Sequence, residues 1–222
     1  MERGYFITGT DTNVGKTWAT VALMRYFKNQ GKSVIGLKPV ASGCTLKDGV
    51  LVNADALLLQ VNATVKLDYR QVNPYAYVRP VSPHIAGRDN PVDLDVIVDS
   101  FNAAKGQAEV ILVEGAGGWH SPLNECQDNG DLAAVLELPV ILVVAIRLGC
   151  INHARLTYRA IISSGVNCAG WIAVCANPNE LHIEENIATL RKWLDSPLFG
   201  VLPFVNTPDF DGLARQYSIA TD

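Results

Sequence analysis

Short runs of apolar residues recur along the chain and predict six β-strands. Several runs are continuously apolar and rich in β-branched residues, which is typical of strands covered on both faces of a sheet. The predicted strands cover residues 5–8, 33–38, 110–113, 140–145, 169–174 and 198–201.

Stretches of helix length lie between these strands and carry apolar residues at helical spacing. They predict helices over residues 16–29, 54–59, 94–105, 153–164 and 180–193, the fourth starting at His153. Ser82 and Pro83 suit the start of a further short helix, and Gly31 suits the end of the first one. The alternation predicts an α/β fold with a mostly parallel sheet and helices on both faces. Ligands of such sheets bind beyond the carboxyl ends of the strands.

Composition narrows the class of protein. The 222 residues favour a single domain spanning 1–222, because no repeat, linker or low-complexity tract divides them. Eighteen Lys and Arg against 22 Asp and Glu give a net charge of −4, so the basic field needed for non-specific nucleic-acid or anionic-membrane binding is missing. We expect a soluble, cytoplasmic protein on three grounds. The five cysteines are scattered, there is no signal-peptide pattern, and the longest apolar run, residues 138–146, is too short to span a membrane.

A phosphate-binding loop follows the first predicted strand. The residues are Gly9-Thr10-Asp11-Thr12-Asn13-Val14-Gly15-Lys16-Thr17, and a predicted helix comes next. In such loops backbone N–H groups surround the β-phosphate, the lysine bridges the β- and γ-phosphates and the threonine hydroxyl binds Mg²⁺. The usual motif has glycine where Thr10 stands. The alternative is an ordinary strand–helix turn with a chance Gly-Lys-Thr, which the strand and the helix on either side disfavour.

An acidic residue ends another buried strand. Glu114 follows Val110-Ile111-Leu112-Val113 and precedes Gly115-Ala116-Gly117-Gly118, where glycines allow the backbone to approach a ligand. Mg²⁺ bound to phosphates usually takes one or two carboxylates as well. A strand-end glutamate facing solvent is the alternative, and the phosphate loop favours the functional interpretation.

Several sequence blocks resemble the dethiobiotin synthetase family, whose members have a phosphate-loop NTPase-like fold. They are the loop at 9–17, Lys38-Pro39-Val40-Ala41-Ser42-Gly43, Asn53-Ala54-Asp55-Ala56-Leu57, Asn73-Pro74-Tyr75, Ser82-Pro83-His84, Val113-Glu114-Gly115-Ala116-Gly117-Gly118-Trp119, the strand at 138–144 and Leu148-Gly149-Cys150-Ile151-Asn152-His153-Ala154. The blocks are spread over most of the chain in the family's order.

The resemblance implies a reaction. Dethiobiotin synthetases close a cyclic urea on 7,8-diaminononanoate with CO₂, ATP and Mg²⁺, and they act as homodimers. One amine captures CO₂ as a carbamate, the carbamate attacks the γ-phosphate, and the second amine closes the ring on the mixed anhydride, releasing phosphate. By the same resemblance Lys38 and Lys16 are catalytic, although a surface lysine at a strand end would be the favoured interpretation of Lys38 alone.

The resemblance also implies the ligands. Thr17, Asp55 and Glu114 match the Mg²⁺ ligands, although Asp55 also suits the acidic start of a helix. Nucleotide contacts are implied for Asn13, Val14, Gly15, Lys16, Thr17, Trp18, Asp55, Glu114, Gly115, Ala116 and Gly117. Contacts to the base are expected in addition from backbone groups near Pro203, Phe204 and Val205. Substrate contacts are implied for Thr12, Ser42, Gly149, Cys150 and Asn152. The segment 149–152 reaches the substrate from the second subunit in the family, whereas Ser42 could also simply cap its loop.

Two positions depart from the family pattern. Asn13 stands where the family often has glutamate, and Val174 replaces an asparagine that recognises the adenine edge. A valine side chain neither donates nor accepts hydrogen bonds, so we expect weaker discrimination between ATP and other nucleoside triphosphates.

Three alternatives stay open beside this function. The first is a deviant phosphate-loop switch ATPase of the positioning or partitioning type, whose signature lysine is replaced here by Asp11. The others are a related ligase with another acid substrate and a nucleotide-binding protein without catalysis.

Overall fold

The computed structural model describes residues 3–219, which contain ten strands. They are β1 (Arg3–Gly9), β2 (Val34–Leu37), β3 (Val40–Ser42), β4 (Thr45–Lys47), β5 (Val50–Val52), β6 (Tyr75–Tyr77), β7 (Val110–Glu114), β8 (Val140–Ala145), β9 (Cys168–Val174) and β10 (Leu198–Leu202). Six form the main sheet in the order β10-β9-β8-β1-β7-β2, with every neighbouring pair parallel.

Nine helices accompany these strands within the described range. They are α1 (Lys16–Asn29), α2 (Ala54–Asn62), α3 (Tyr69–Val72), α4 (Pro83–Ala86), α5 (Leu94–Ala104), α6 (Asn129–Val135), α7 (Cys150–Ser163), α8 (Ile183–Trp193) and α9 (Phe210–Ala214). Across residues 3–219, none is both long and apolar enough to cross a membrane.

Helices cover both faces of the main sheet. Along β1 alternate side chains point to opposite faces, because the side-chain period of a strand is two residues. Tyr5 and Ile7 pack in the apolar cluster that contains α1 and α9. Phe6 packs in the second cluster, which contains α5, α6, α7 and α8. This arrangement confirms the predicted α/β fold and explains why the central strands are apolar at nearly every position.

The strand expected over 33–38 is shorter and is followed by a second strand. β2 ends at Leu37, and after Lys38 and Pro39 the chain enters β3, which pairs with β6 in a separate two-stranded parallel sheet. Proline has no amide hydrogen to continue the ladder of the main sheet. Lys38 is therefore the first residue beyond the carboxyl end of β2.

Two predicted helix starts were wrong by three residues. α7 begins at Cys150, so His153 lies in its first turn, and Gly149 before it has φ 91°. α8 begins at Ile183 instead of residue 180, after His182 with φ 58°. Left-handed residues directly before both helices mark the true boundaries, and hydrophobic periodicity does not report them.

The short helix at Ser82 and Pro83 is present as α4, with Ser82 in the N-cap position. The Ser82 hydroxyl makes no capping bond to the backbone; it lies 2.9 Å from His84 Nδ1 instead. The helix start expected at Ser82 and Pro83 is therefore confirmed, although it lacks a side-chain capping bond.

Candidate active site

The carboxyl ends of β1, β2 and β7 meet at one edge of the main sheet and border a cleft of about 790 Å³. The structure brings most of the residues proposed from the sequence together there. Those that line the cleft are Thr12, Asn13, Gly15, Lys16, Thr17, Trp18, Lys38, Ser42, Asp55, Glu114, Ala116 and Gly117.

The phosphate loop bends between β1 and α1 through two left-handed residues. Asn13 has φ 58° and Gly15 has φ 90°. A Cβ at position 15 would lie 2.8 Å from Val174 Cγ1, so both the backbone conformation and the available space require glycine. Val14 does not line the cleft, because its side chain is fully buried and anchors the loop in the core.

Lys16 is buried at the base of the cleft. Its Nζ donates to the backbone oxygen of Asp11 at 2.8 Å. Burial, and then the nearby Lys38 ammonium, lower the pKa of Lys16 to about 8. Added negative charge in the cleft would favour the protonated form, so this lysine is suited to an anionic ligand.

Lys38 forms the centre of a charge cluster in which Lys38 and Glu114 are buried and Asp55 is half-exposed. Its Nζ lies 2.6 Å from Glu114 Oε1 and 3.7 Å from Asp55 Oδ2, and it donates to the Gly115 carbonyl at 3.2 Å. Thr17 Oγ1 donates to the same Glu114 oxygen at 2.9 Å. Burial acts to lower the pKa of Lys38, but the two carboxylates outweigh it, and the net pKa is raised. Lys38 therefore stays protonated in the cleft.

The backbone on both sides of this cluster is fixed by polar side chains. Asn73 is buried and donates through Nδ2 to the Lys38 carbonyl at 2.8 Å. Asn53 caps α2 by accepting from the Asp55 and Ala56 amides, and its Nδ2 donates to the Ser42 carbonyl at 3.4 Å. These contacts place Lys38, Asp55 and Ser42 with little dependence on their own side chains.

The oxygen atoms near Lys38 fit a hard cation bound together with phosphates. Glu114 is fully buried, yet its Oε2 has no hydrogen-bond partner within residues 3–219. Thr17 and Asp55 add a hydroxyl and a carboxylate, the ligand types that Mg²⁺ prefers. Among the described residues no group of three His, Cys, Asp or Glu side chains is placed to hold a metal alone. The donor set therefore suits a magnesium–nucleotide complex better than a free metal ion.

Three serine hydroxyl groups belong to residues that line the cleft outside the phosphate loop. Ser42 Oγ is buried and has no partner within the described range. Ser82 and Ser121 also line the cleft, and sequence reasoning missed both as site residues. Their only available signal was the family block at 82–84 for Ser82; Ser121 comes from a loop without a recognisable motif.

The segment 149–152 lies elsewhere, at the amino end of α7. Cys150 is buried, whereas Gly149 and Asn152 are exposed, and none of them lines the cleft of the same chain. Their assignment as substrate contacts stays a prediction that depends on a second subunit.

The segment 203–205 follows β10 and also lies outside the cleft lining. Phe204 is partly exposed, and the ring of Trp18 packs edge-on against Phe210 with centroids 6.3 Å apart. Gly115 is likewise not part of the lining; its N–H donates to the Ile7 carbonyl. The nucleotide contacts proposed for these residues stay predictions.

The parallel sheet, the loop ending in Gly-Lys-Thr and the acidic residue at the end of β7 define a phosphate-loop NTPase-like protein. A family model described as an AAA domain matches residues 3–209. ATP-dependent dethiobiotin synthetases BioD from Xanthomonas axonopodis pv. citri (strain 306) and Xanthomonas oryzae pv. oryzae (strain PXO99A) are 46% and 44% identical, and each alignment covers 97% of this chain and 96% of the relative. The enzyme of that name from Xylella fastidiosa (strain M12) is 44% identical over 90% of both chains.

The chain belongs to the ATP-dependent dethiobiotin synthetase family and is an enzyme, which confirms the resemblance found in the sequence. Among solved structures it is similar to the septum site-determining protein MinD of Pyrococcus horikoshii OT3 complexed with Mg-ADP, with TM-score 0.55, 16% identity and coverage of 91% of this chain and 82% of that chain. FtsY from Elizabethkingia anophelis in complex with GDP gives TM-score 0.56 at 13% identity, covering 100% of this chain and 61% of that chain. These two likenesses show the fold alone.

Proposed function

We propose that the enzyme closes the ureido ring of dethiobiotin from 7,8-diaminononanoate, CO₂ and ATP, releasing ADP and phosphate in biotin biosynthesis. The observation that carries this proposal is the position of Lys38. Its ammonium is held by Glu114 and Asp55 beside the phosphate loop, in the same cleft as the unpartnered Ser42 hydroxyl. A buried ammonium and a buried hydroxyl without a protein partner, both lining the cleft beside the phosphate loop, support a second substrate next to the nucleotide.

The proposed reaction has three steps. One amine adds to CO₂ and loses a proton, giving a carbamate. A carbamate oxygen then attacks the γ-phosphorus of ATP, the bond to the bridging oxygen breaks, and ADP leaves with its electrons. The second amine attacks the carbamoyl carbon of the mixed anhydride, loses a proton and expels phosphate. Activation is needed because a carbamate anion is a poor acyl donor.

The two lysines fit the charge that develops during phosphoryl transfer, which depends mainly on positioning and electrostatic stabilisation. Lys16 lies at the phosphate loop and Lys38 lies on the Ser42 side of the cleft. We assign Lys16 to the phosphates of ATP and Lys38 to the carbamate and the transferred phosphoryl group. Ser42, with Thr12 near the loop, would hold the diamine or its carbamate.

Thr17, Asp55 and Glu114 would hold Mg²⁺. When bound, the ion supplies charge neutralisation on the phosphate oxygens. The carboxylate cluster then also has a role in orienting Lys38, because Glu114 contacts both the Thr17 hydroxyl and the Lys38 ammonium.

The alkyl chain of the diamine ends in a carboxylate that needs hydrogen-bond donors. We propose that the 149–152 segment of a second subunit supplies them through the amino end of α7, in a homodimer. The first N–H groups of a helix are free and attract anions.

All five cysteines are free thiols, which agrees with a reducing, cytoplasmic compartment.

A turnover assay tests this function. Purified protein is incubated with Mg-ATP, bicarbonate and 7,8-diaminononanoate, and the product is identified by mass spectrometry. We expect dethiobiotin in amounts that match phosphate release, with no product when the diamine or Mg²⁺ is omitted. Phosphate release that does not depend on the diamine would contradict the proposal and favour a switch ATPase.

A further inference from the structure

A fully buried amide lies behind the glycine-rich segment that follows Glu114. Asn129, the first residue of α6, has no solvent exposure. Its Nδ2 donates to the Ala116 carbonyl at 2.8 Å and to the Gly118 carbonyl at 2.7 Å, and its Oδ1 accepts from the Ala116 N–H at 3.2 Å. Both ends of the side-chain amide are thus bonded to a three-residue stretch of backbone.

These bonds flank the residue at the centre of that stretch. Gly117 has φ 76° and lines the cleft. The next amide, Gly118 N–H, donates to Ser121 Oγ at 2.8 Å. No acceptor for the Gly117 N–H lies within residues 3–219. The contacts hold the neighbours of Gly117 and leave its own N–H available to an anion in the cleft.

Gly115 makes room for this contact. A Cβ at position 115 would lie 2.9 Å from Asn129 Oδ1 and 3.0 Å from Phe6 Cζ. A larger residue would push the amide away from the backbone it holds. The Gly115 carbonyl also accepts a hydrogen bond from Lys38 Nζ. The backbone held by Asn129 therefore directly follows a residue that contacts Lys38.

Asn129 is not needed to start its own helix. The Asp128 side chain caps α6 by accepting from the Gly130 and Asp131 amides, and its other oxygen lies 2.7 Å from His120 Nδ1. The hydrogen bonds of Asn129 go instead to residues 116 and 118. Asp128 therefore caps α6, whereas Asn129 holds the backbone of residues 116 and 118. Substituting each of these adjacent residues separately gives a matched pair of variants.

We infer that Asn129 is a positioning residue for phosphoryl transfer: it fixes the backbone of residues 116–118, between Glu114 and the cleft, in the geometry that the transferred phosphoryl group requires. The inference rests on the proposed function for the identity of that group. It predicts that loss of the Asn129 amide lowers turnover without a matching loss of nucleotide binding.

The test compares Asn129→Ala with Asp128→Ala, which weakens the same end of α6 but leaves the amide contacts in place. For Asn129→Ala we expect kcat to fall about 10- to 100-fold, as for other residues that orient a catalytic group, with the Kd for Mg-ADP nearly unchanged. Asp128→Ala should keep kcat within about twofold of the unchanged protein. The unfolding midpoint of each variant is measured by thermal unfolding, and turnover is assayed at a temperature well below both midpoints.

A second variant keeps the test informative if Asn129→Ala does not fold. Asn129→Asp keeps the size of the side chain and the acceptor for Ala116 N–H but removes both donors, so kcat should again fall more than in Asp128→Ala. Equal kcat in the Asn129 and Asp128 variants, or a loss of Mg-ADP binding in step with kcat, would overturn the inference. Phosphate release is measured alongside dethiobiotin, so kcat of the variants can be compared even if the unchanged protein makes another product. Formation of another product would refute the proposed function but not the role of Asn129.

Discussion

Replacing Lys38 with methionine removes one charge from a buried pair while keeping an unbranched side chain of similar length. Lys38 and Glu114 are 6% and 0% exposed in their side chains, with 2.6 Å between Nζ and Oε1. Solvent screening is therefore slight, and the Glu114 carboxylate would be left buried with only the Thr17 hydroxyl as donor.

The expected size of the effect follows from this burial. Removing one partner of a buried ion pair costs about 3–5 kcal/mol of unfolding free energy. For a chain of this length each kcal/mol lowers the unfolding midpoint by about 2–4 °C, so the variant should unfold about 6–20 °C lower. Turnover should fall about 10²- to 10³-fold, since the lysine would stabilise charge that develops in the transition state. Nucleotide binding should persist because Lys16 and the loop are unchanged.

A double-variant cycle identifies the origin of the loss. Lys38→Met combined with Glu114→Gln removes both charges and should recover most of the stability lost by Lys38→Met alone, but none of the turnover. Thermal and urea unfolding are followed without nucleotide or Mg²⁺, and turnover is followed by phosphate release. A Lys38→Met variant as stable as the unchanged protein, or additive effects in the cycle, would refute the buried pair. Equal loss of ATP binding and turnover would instead indicate a role in folding or in the phosphate loop.

Three further predictions concern the nucleotide. Because burial lowers the pKa of Lys16 to about 8, the free protein loses this charge above pH 8. The affinity for Mg-ATP should then fall by up to about tenfold per pH unit, whereas at lower pH it should not depend on this group. Calorimetry at pH 8.5 in buffers of different ionisation enthalpy should show proton uptake on binding, and the absence of uptake would contradict the lowered pKa. The Val174 side chain has no polar atom, so turnover with ATP, GTP and CTP should differ by less than about tenfold. A sharp preference for ATP would contradict this expectation. Gly15→Ala should abolish nucleotide binding. The control is Gly31→Ala, because Gly31 is also left-handed, at φ 78°, but lies in open space; this variant should lose only about 1–2 kcal/mol of stability and keep binding intact. Equal nucleotide binding by the two variants would contradict the steric argument.

The main sheet and the centre of the site could be predicted from the sequence. The central strands are buried on both faces, so their apolar runs stand out, and the carboxyl ends of parallel strands share one edge. Lys38 and Glu114 each follow or end such a strand, which is why residues 76 positions apart meet at 2.6 Å.

The remaining elements give weaker signals because they are short. The β4–β5 hairpin and the β3–β6 pair consist of three-residue strands, too short for an alternation to be distinguished from chance. α6 has seven residues, and the function of Asn129 depends on a backbone contact across 11 to 13 positions. No local pattern encodes such a contact, so it becomes visible only in the folded chain.

The contact between Gly15 and Val174 restricts how this enzyme can change its choice of nucleotide. The end of β9 packs directly against the bend of the phosphate loop, with no intervening layer of side chains at this point. A bulkier residue introduced at 174 to contact a base would press on the backbone that we propose binds the phosphates. Under the proposed function, selectivity for the base and affinity for the triphosphate are therefore coupled by this steric contact at position 174. A substitution there that sharpens the first should be expected to alter the second.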